Sequence, residues 1–267
     1  MRRFDMLERL IVVAVVLAVG VACLAHAAAA RSFDIAYKNT GIGFGNSKKL
    51  NGLRFNLRDR GVEEINGINA TFWLPGENPD GTIRGLSLAL FGIDAHKLQG
   101  VNLGVIGLSG GYVSGISVGI IGLAASERLD GIGIGGIGMG GGDLRGLMIG
   151  GIGLGGDDIS GVALGGFGFG ATSLRGLGFG LIGVGAEEVR GVCIGGIGVG
   201  GENIKGLCIG GIGVGAEEFS GAGMGLIGVG GEELTGFFVG GIGVGAEDLR
   251  GVGLAIGGAV AQTLRGG

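Results

Sequence analysis

The chain has 267 residues, 71 of them Gly, with 46% apolar and 16% charged residues, a mean hydropathy of +0.59 and a formal net charge of −4. About one residue in four being Gly excludes ordinary helical packing, because Gly loses the most backbone entropy on ordering and brings no side chain to a helix interface. The hydropathy excludes a polar flexible linker, and 2 Pro with a Gly rhythm other than three exclude collagen.

The first 30 residues have the layout of a secretory signal. Arg2, Arg3 and Arg9 precede an apolar run from Leu10 to Leu24, and small-residue sites follow at Ala25/Ala27 and Ala28/Ala30. Cleavage near Ala27 or Ala30 is the expectation. Two alternatives are an uncleaved anchor, for which Leu10 to Ala30 is long enough, and a lipidated Cys23, for which Gly20 stands where Leu is wanted. All three predict an exported protein of the cell envelope, outer surface or periplasm. Without residues 1–30 the chain keeps 16 basic and 21 acidic residues, a net charge of −5 that argues against a nucleic-acid partner.

Past the leader, internal repetition dominates. Gly131, Gly146, Gly161, Gly176, Gly191, Gly206, Gly221, Gly236 and Gly251 open nine units of fifteen residues without a break. Gly115, Gly100 and Gly85 continue the period backwards, as do Gly67 and Gly52, with one extra residue near Ser126 to Asp130 and three near Trp73 to Asp80. The unit from Gly191 reads G-V-C-I-G-G-I-G-V-G-G-E-N-I-K. With Gly191 as position 1, apolar residues stand at positions 2, 4, 7, 9 and 14, which is period two interrupted by parity breaks.

Turns at Gly195-Gly196 and at the acidic stretch would let all five point inward, giving three five-residue sides per coil. One coil encloses nothing, so coils must stack at about 4.8 Å to bury their columns. The predicted fold is all-β, a parallel β-solenoid of 15-residue coils. Position 6 is apolar at Leu90, Val105, Ile120, Leu181 and Leu226, so a ten-residue strand is the competing reading, as a closed ring of β-hairpins or a membrane β-barrel. One Trp and two Tyr supply no aromatic girdle for a barrel.

The chain divides into 1–30 signal peptide, 31–51 N-terminal edge strand or cap, 52–130 degenerate repeats and 131–267 regular repeats. In the unit from Gly52, Leu53, Phe55 and Leu57 alternate with Arg54, Asn56 and Arg58, the pattern of a polar terminal cap. Ser32 to Lys49 alternates Phe33, Ile35 and Tyr37 with polar residues and reads as one further edge strand.

Catalytic chemistry finds little to work with. Outside the leader, His96 is the sole histidine, with no zinc or C-x-x-C spacing. G-x-G-x-x-G, as at Gly133, Gly135 and Gly138, lies inside the repeat rather than between a strand and a helix, and no G-K-[ST] occurs. Gly240 to Asp248 has the outline of a calcium-binding nonapeptide, but Gly245 stands where the ligand Asp belongs. No catalytic, cofactor-binding or metal-binding residue is therefore assigned, no cofactor is expected, and the protein reads as a non-enzyme.

What remains is a column of acids, Asp143, Asp157, Asp158, Glu187, Glu188, Glu202, Glu217, Glu218, Glu232, Glu233, Glu247 and Asp248. Beside it run Arg145, Arg175, Arg190, Lys205, Arg250 and Arg265. The expectation is a solvated ridge that keeps an apolar rod dissolved, with cation or basic-partner binding as the alternative. Cys193 and Cys208 share position 3 of neighbouring units, so parallel stacking would put their Cα atoms about 4.8 Å apart, whereas an antiparallel meander would separate them.

The units G-L-S-L-A-L-F-G-I from Gly85, G-V-N-L-G-V-I-G-L from Gly100 and G-L-C-I-G-G-I-G-V from Gly206 resemble those of bacterial glycine-rich surface-repeat proteins, and the likeness covers Gly52 to Arg265. The resemblance implies an exported envelope protein and carries over no functional residues. The sequence thus predicts a structural or adhesive surface scaffold whose partner is an envelope polymer, another protein or further copies of itself. A membrane-associated or outer-membrane β-assembly is the alternative.

Overall fold

A computed structural model describes residues 32–266, so the expected signal at residues 1–30 lies outside the described residues. Seventeen strands form one continuous sheet that winds as a parallel solenoid. It opens with β1 (Ser32–Tyr37), β2 (Thr40–Gly45), β3 (Lys49–Asn56), β4 (Glu64–Thr71) and β5 (Thr82–Ala89). Eleven long strands follow, β6 (Gly92–Gly104) through β16 (Gly243–Ala255), and β17 (Ala259–Arg265) ends the stack. From β2 onward every neighbouring pair is parallel. The antiparallel ring and the membrane barrel are therefore not the fold.

Register repeats the sequence period. Gly183↔Gly198 through Gly195↔Gly210 pairs fifteen residues apart. The two irregularities fall where the spacing does, with Glu64 opposite Thr82 across the three-residue insertion and a bulge between Ala125 and Arg128. Residues 32–45 differ from the single edge strand expected. They fold into a hairpin, β1 antiparallel to β2, because Lys38 and Asn39 take positive φ of 51° and 62° and make the tight turn.

Each coil has three sides, and the corners decide what faces inward. In the coil from Gly191, Cys193, Gly195, Val199 and Ile204 are buried, whereas Ile194, Ile197, Gly200 and Glu202 are exposed. The inward large residues are therefore at positions 3, 9 and 14, one per side. Positions 2, 4 and 7, expected inside, face outward, and this corrects the sequence reading. Strand alternation holds within each side, but each corner resets it. Positions 6 and 7 both point out at one corner, positions 12 and 13 at the next. At the third, position 1 takes a positive φ, 145° at Gly191 and at Gly206. Backbone pairing continues round the bend, as Ile197 N–H donates to Ile182 C=O at 2.6 Å.

Three columns build the core. Position 14 runs from Leu50 through Ile65, Leu98, Leu144, Val189 and Phe219 to Leu249 without an exposed member, and position 9 from Ile93 through Met139 and Val199 to Val244. Burying each Val, Leu or Ile contributes about 1.5–3 kcal/mol. Position 3 fills whatever space remains. Gly178 sits where a Cβ would strike the Phe169 ring, and Gly223 makes room for Phe219 and Phe238, whose rings meet edge to face at 5.0 Å.

At the N-terminal end position 3 turns polar, running Arg54, Asn69, Ser87, Asn102 and Ser117, all buried. The first coil keeps the orientation of the others but carries charged residues inside. Phe55 is exposed while Arg54 and Asp59 are 0% exposed and ion-paired. Asp59 also accepts from Asn56 Nδ2 at 2.9 Å, Thr71 Oγ1 at 2.7 Å and Asn69 Nδ2 at 3.2 Å, and Arg54 donates to Asn69 Oδ1 at 2.8 Å. This plug closes the apolar columns. Removing either partner of such a buried pair costs about 3–5 kcal/mol.

Candidate functional surfaces

Because positions 2, 4 and 7 point out, the solenoid carries an apolar face along its length. At position 7 stand Ile106, Ile121, Ile137, Ile152, Phe167, Ile182, Ile197, Ile212, Ile227 and Ile242, every one exposed. Position 4 adds Leu88, Leu103, Phe179, Ile194, Met224 and Leu254, and position 2 adds Val101, Ile116, Leu177, Leu207, Phe237 and Val252. A soluble monomer rarely leaves so long an apolar surface open.

The relief of this face changes along the axis, and position 6 sets it. In five successive coils position 6 is Leu57, Phe72, Leu90, Val105 and Ile120, a ridge parallel to Phe55, Leu88 and Leu103 at position 4. Between them lies a groove of about 800 Å³ floored by Thr71, Ala89 and Gly104. From Gly136 to Gly241 position 6 is Gly, except Leu181 and Leu226, which stand out at 63% and 77% exposed, and the last coil carries the fully exposed Ile256 there.

The acids and bases form the expected ridge at a different corner. Acids at positions 12 and 13 are followed by bases at position 15, and pairs form along the strand: Arg145 with Asp143 at 3.0 Å, Arg190 with Glu188 at 3.8 Å and Arg250 with Asp248 at 2.8 Å. Asn203 Nδ2 donates to Glu218 Oε2 at 3.0 Å across coils. Glu187, Glu202, Glu217, Glu232 and Glu247 stack at position 12 of five successive coils. Among the described residues no three His, Cys, Asp or Glu side chains gather as a metal site.

Residues the sequence did not join meet at the bulge. His96 stacks edge to face on Tyr112 at 5.4 Å and its Nδ1 lies 3.9 Å from Glu127 Oε1. A hydrogen bond to Glu127 and its charge push the Tyr112 phenol above its usual range. The extra residue that brings Glu127 here was legible as a break in period, but what it faces was not. Nearby, the inserted Trp73 to Asp80 loop is strapped down by Asn78, which accepts from Val62 N–H at 2.9 Å and donates to Asp94 C=O at 3.0 Å. The loop borders a second groove of about 700 Å³, where burial raises the Asp94 carboxyl although hydrogen bonds from the Ser109 side chain and Asn78 backbone oppose it.

Cys193 in β12 (Gly183–Gly195) and Cys208 in β13 (Gly198–Gly210) are register partners, both thiols free and both fully buried. They sit in the core column, as parallel stacking requires. The neighbouring Cys208 and burial push the Cys193 thiol far above its usual value.

Among the described residues no helix is long and apolar enough to cross a membrane. The chain matches no protein-family model, no curated protein and no solved structure.

Proposed function

We propose that the protein is an exported bacterial envelope scaffold, structural or adhesive and without a catalytic role. The observation that carries this reading is that the repeat is spent on surface as well as core. Positions 2, 4 and 7 are apolar coil after coil although none of them fills the interior. A repeat that selects outward side chains in register presents long uniform columns, which suits contact with an extended or repetitive partner. The signal-like leader and the likeness to glycine-rich surface repeats support the location.

The test is to express the full chain in a Gram-negative host, determine the N-terminus of the recovered protein and probe intact cells with protease. The reading expects processing at Ala27, at Ala30 or before Cys23 and recovery in the envelope or medium. Accumulation of unprocessed protein in the cytoplasm overturns it. The same apolar face favours one second reading, peripheral attachment to a membrane.

A further inference from the structure

We infer that the apolar face is the interface between two copies of this chain packed antiparallel. The face spans positions 2 to 6 and some fourteen coils, with the position 7 residues along its edge, so it is roughly 13 Å by 65 Å, on the order of 800 Å². A stable interface needs about 800 Å² from each partner, and the largest apolar patch on a typical monomer is about 300–600 Å². The face is therefore of the size that a homodimer buries.

Its relief says which way the copies run. The groove lies on the coils of Phe55 to Ile120, and the two projecting leucines, Leu181 and Leu226, lie in the other half. They are three coils apart, about 14 Å, and the five-coil groove is about 24 Å long, so both fit within it. A two-fold axis across the solenoid brings each copy's leucines against the other's groove, Leu181 near Val105 and Leu226 near Leu57, and satisfies both at once. Parallel copies would instead meet groove to groove. An anionic bilayer is the poorer occupant, because three of the bases bordering the face are tied to carboxylates, at Arg145–Asp143, Arg190–Glu188 and Arg250–Asp248. The chain is also acidic overall.

The inference deepens the scaffold reading by naming a second copy as its contact, and it rests on that reading only for where the dimer serves. Leader processing tests the location, whereas the following experiment tests the interface. The full chain, expressed with its leader and purified without detergent, is followed by light scattering and sedimentation from about 1 to 100 µM. A dimer is expected. The L181E/L226E variant is expected to associate at least tenfold more weakly with an unchanged circular dichroism spectrum, since neither side chain enters the core. L181A/L226A should weaken association less, in the same direction, while E217K on the charged ridge leaves it intact. Mild oxidation of L181C/V105C should give a covalent dimer that neither single variant gives. A monomer throughout the range, a dimer indifferent to both glutamates, or a monomer that floats with phosphatidylcholine vesicles overturns the proposal.

Discussion

Glycine is not one residue in this chain but several, distinguished by what a Cβ would meet. At Gly206, φ is +145° and a Cβ would lie 1.9 Å from the Gly191 carbonyl oxygen, so the corner closes only on glycine. At Gly200 nothing lies within 4 Å and the backbone is ordinary. Gly206→Ala is therefore expected to cost about 2–4 kcal/mol, whereas Gly200→Ala should be neutral or gain up to about 1 kcal/mol through the unfolded chain. Urea titration of the two variants distinguishes them, and equal losses would mean that the corner geometry is not what selects glycine. In the sequence the two part only in the early coils, where position 1 stays Gly at Gly85, Gly100 and Gly115 while position 10 becomes Asp94, Ser109 and Ala124. The Arg54–Asp59 pair was hidden for a different reason. Alternating Leu53, Phe55 and Leu57 with Arg54 and Asn56 identifies two faces, but hydrophobicity alone assigns the apolar one to the interior, and here it lies outside.

Within one coil, the period, the insertion, the extra residue near Glu127 and the three sides were all legible, because each is a matter of spacing. Which residues face in was not, because corners absorb a residue each and reset the alternation without leaving a mark in composition. Position 3 shows this best: it holds Arg, Asn, Ser, Gly, Met, Ala, Cys and Phe in different coils, so no hydrophobic column announces it. Cys193 and Cys208 report on that position directly. Both are fully buried in adjacent coils, and the raised Cys193 thiol favours its protonated form at neutral pH. Alkylation by iodoacetamide at pH 7 should then be limited by opening of the solenoid and become fast for both thiols in denaturant. Rapid labelling of the folded chain would mean that the position 3 column is solvent-accessible and does not line the interior.

Across the molecule, each coil touches only its neighbours, so whatever one position carries is repeated at about 4.8 Å along the axis. For apolar positions this accumulates burial, and for charged positions it accumulates repulsion. The five glutamates from Glu187 to Glu247 at position 12 stand above one another, and like charges directly opposite on neighbouring strands oppose pairing. The pairs from position 13 to position 15 offset part of this, but each is at least partly exposed, and such pairs contribute little. Salt screens both, with a reach of about 10 Å at 0.1 M. Because exposed pairs contribute so little, raising NaCl from about 10 to 300 mM should raise the melting temperature by a few degrees, and Glu217→Gln should both stabilise the chain and blunt the salt response. Protein concentration must be held fixed, since self-association raises the apparent stability by mass action. A melting temperature that falls with salt would show that the ion pairs outweigh the column and that the charged ridge helps to hold the coils together.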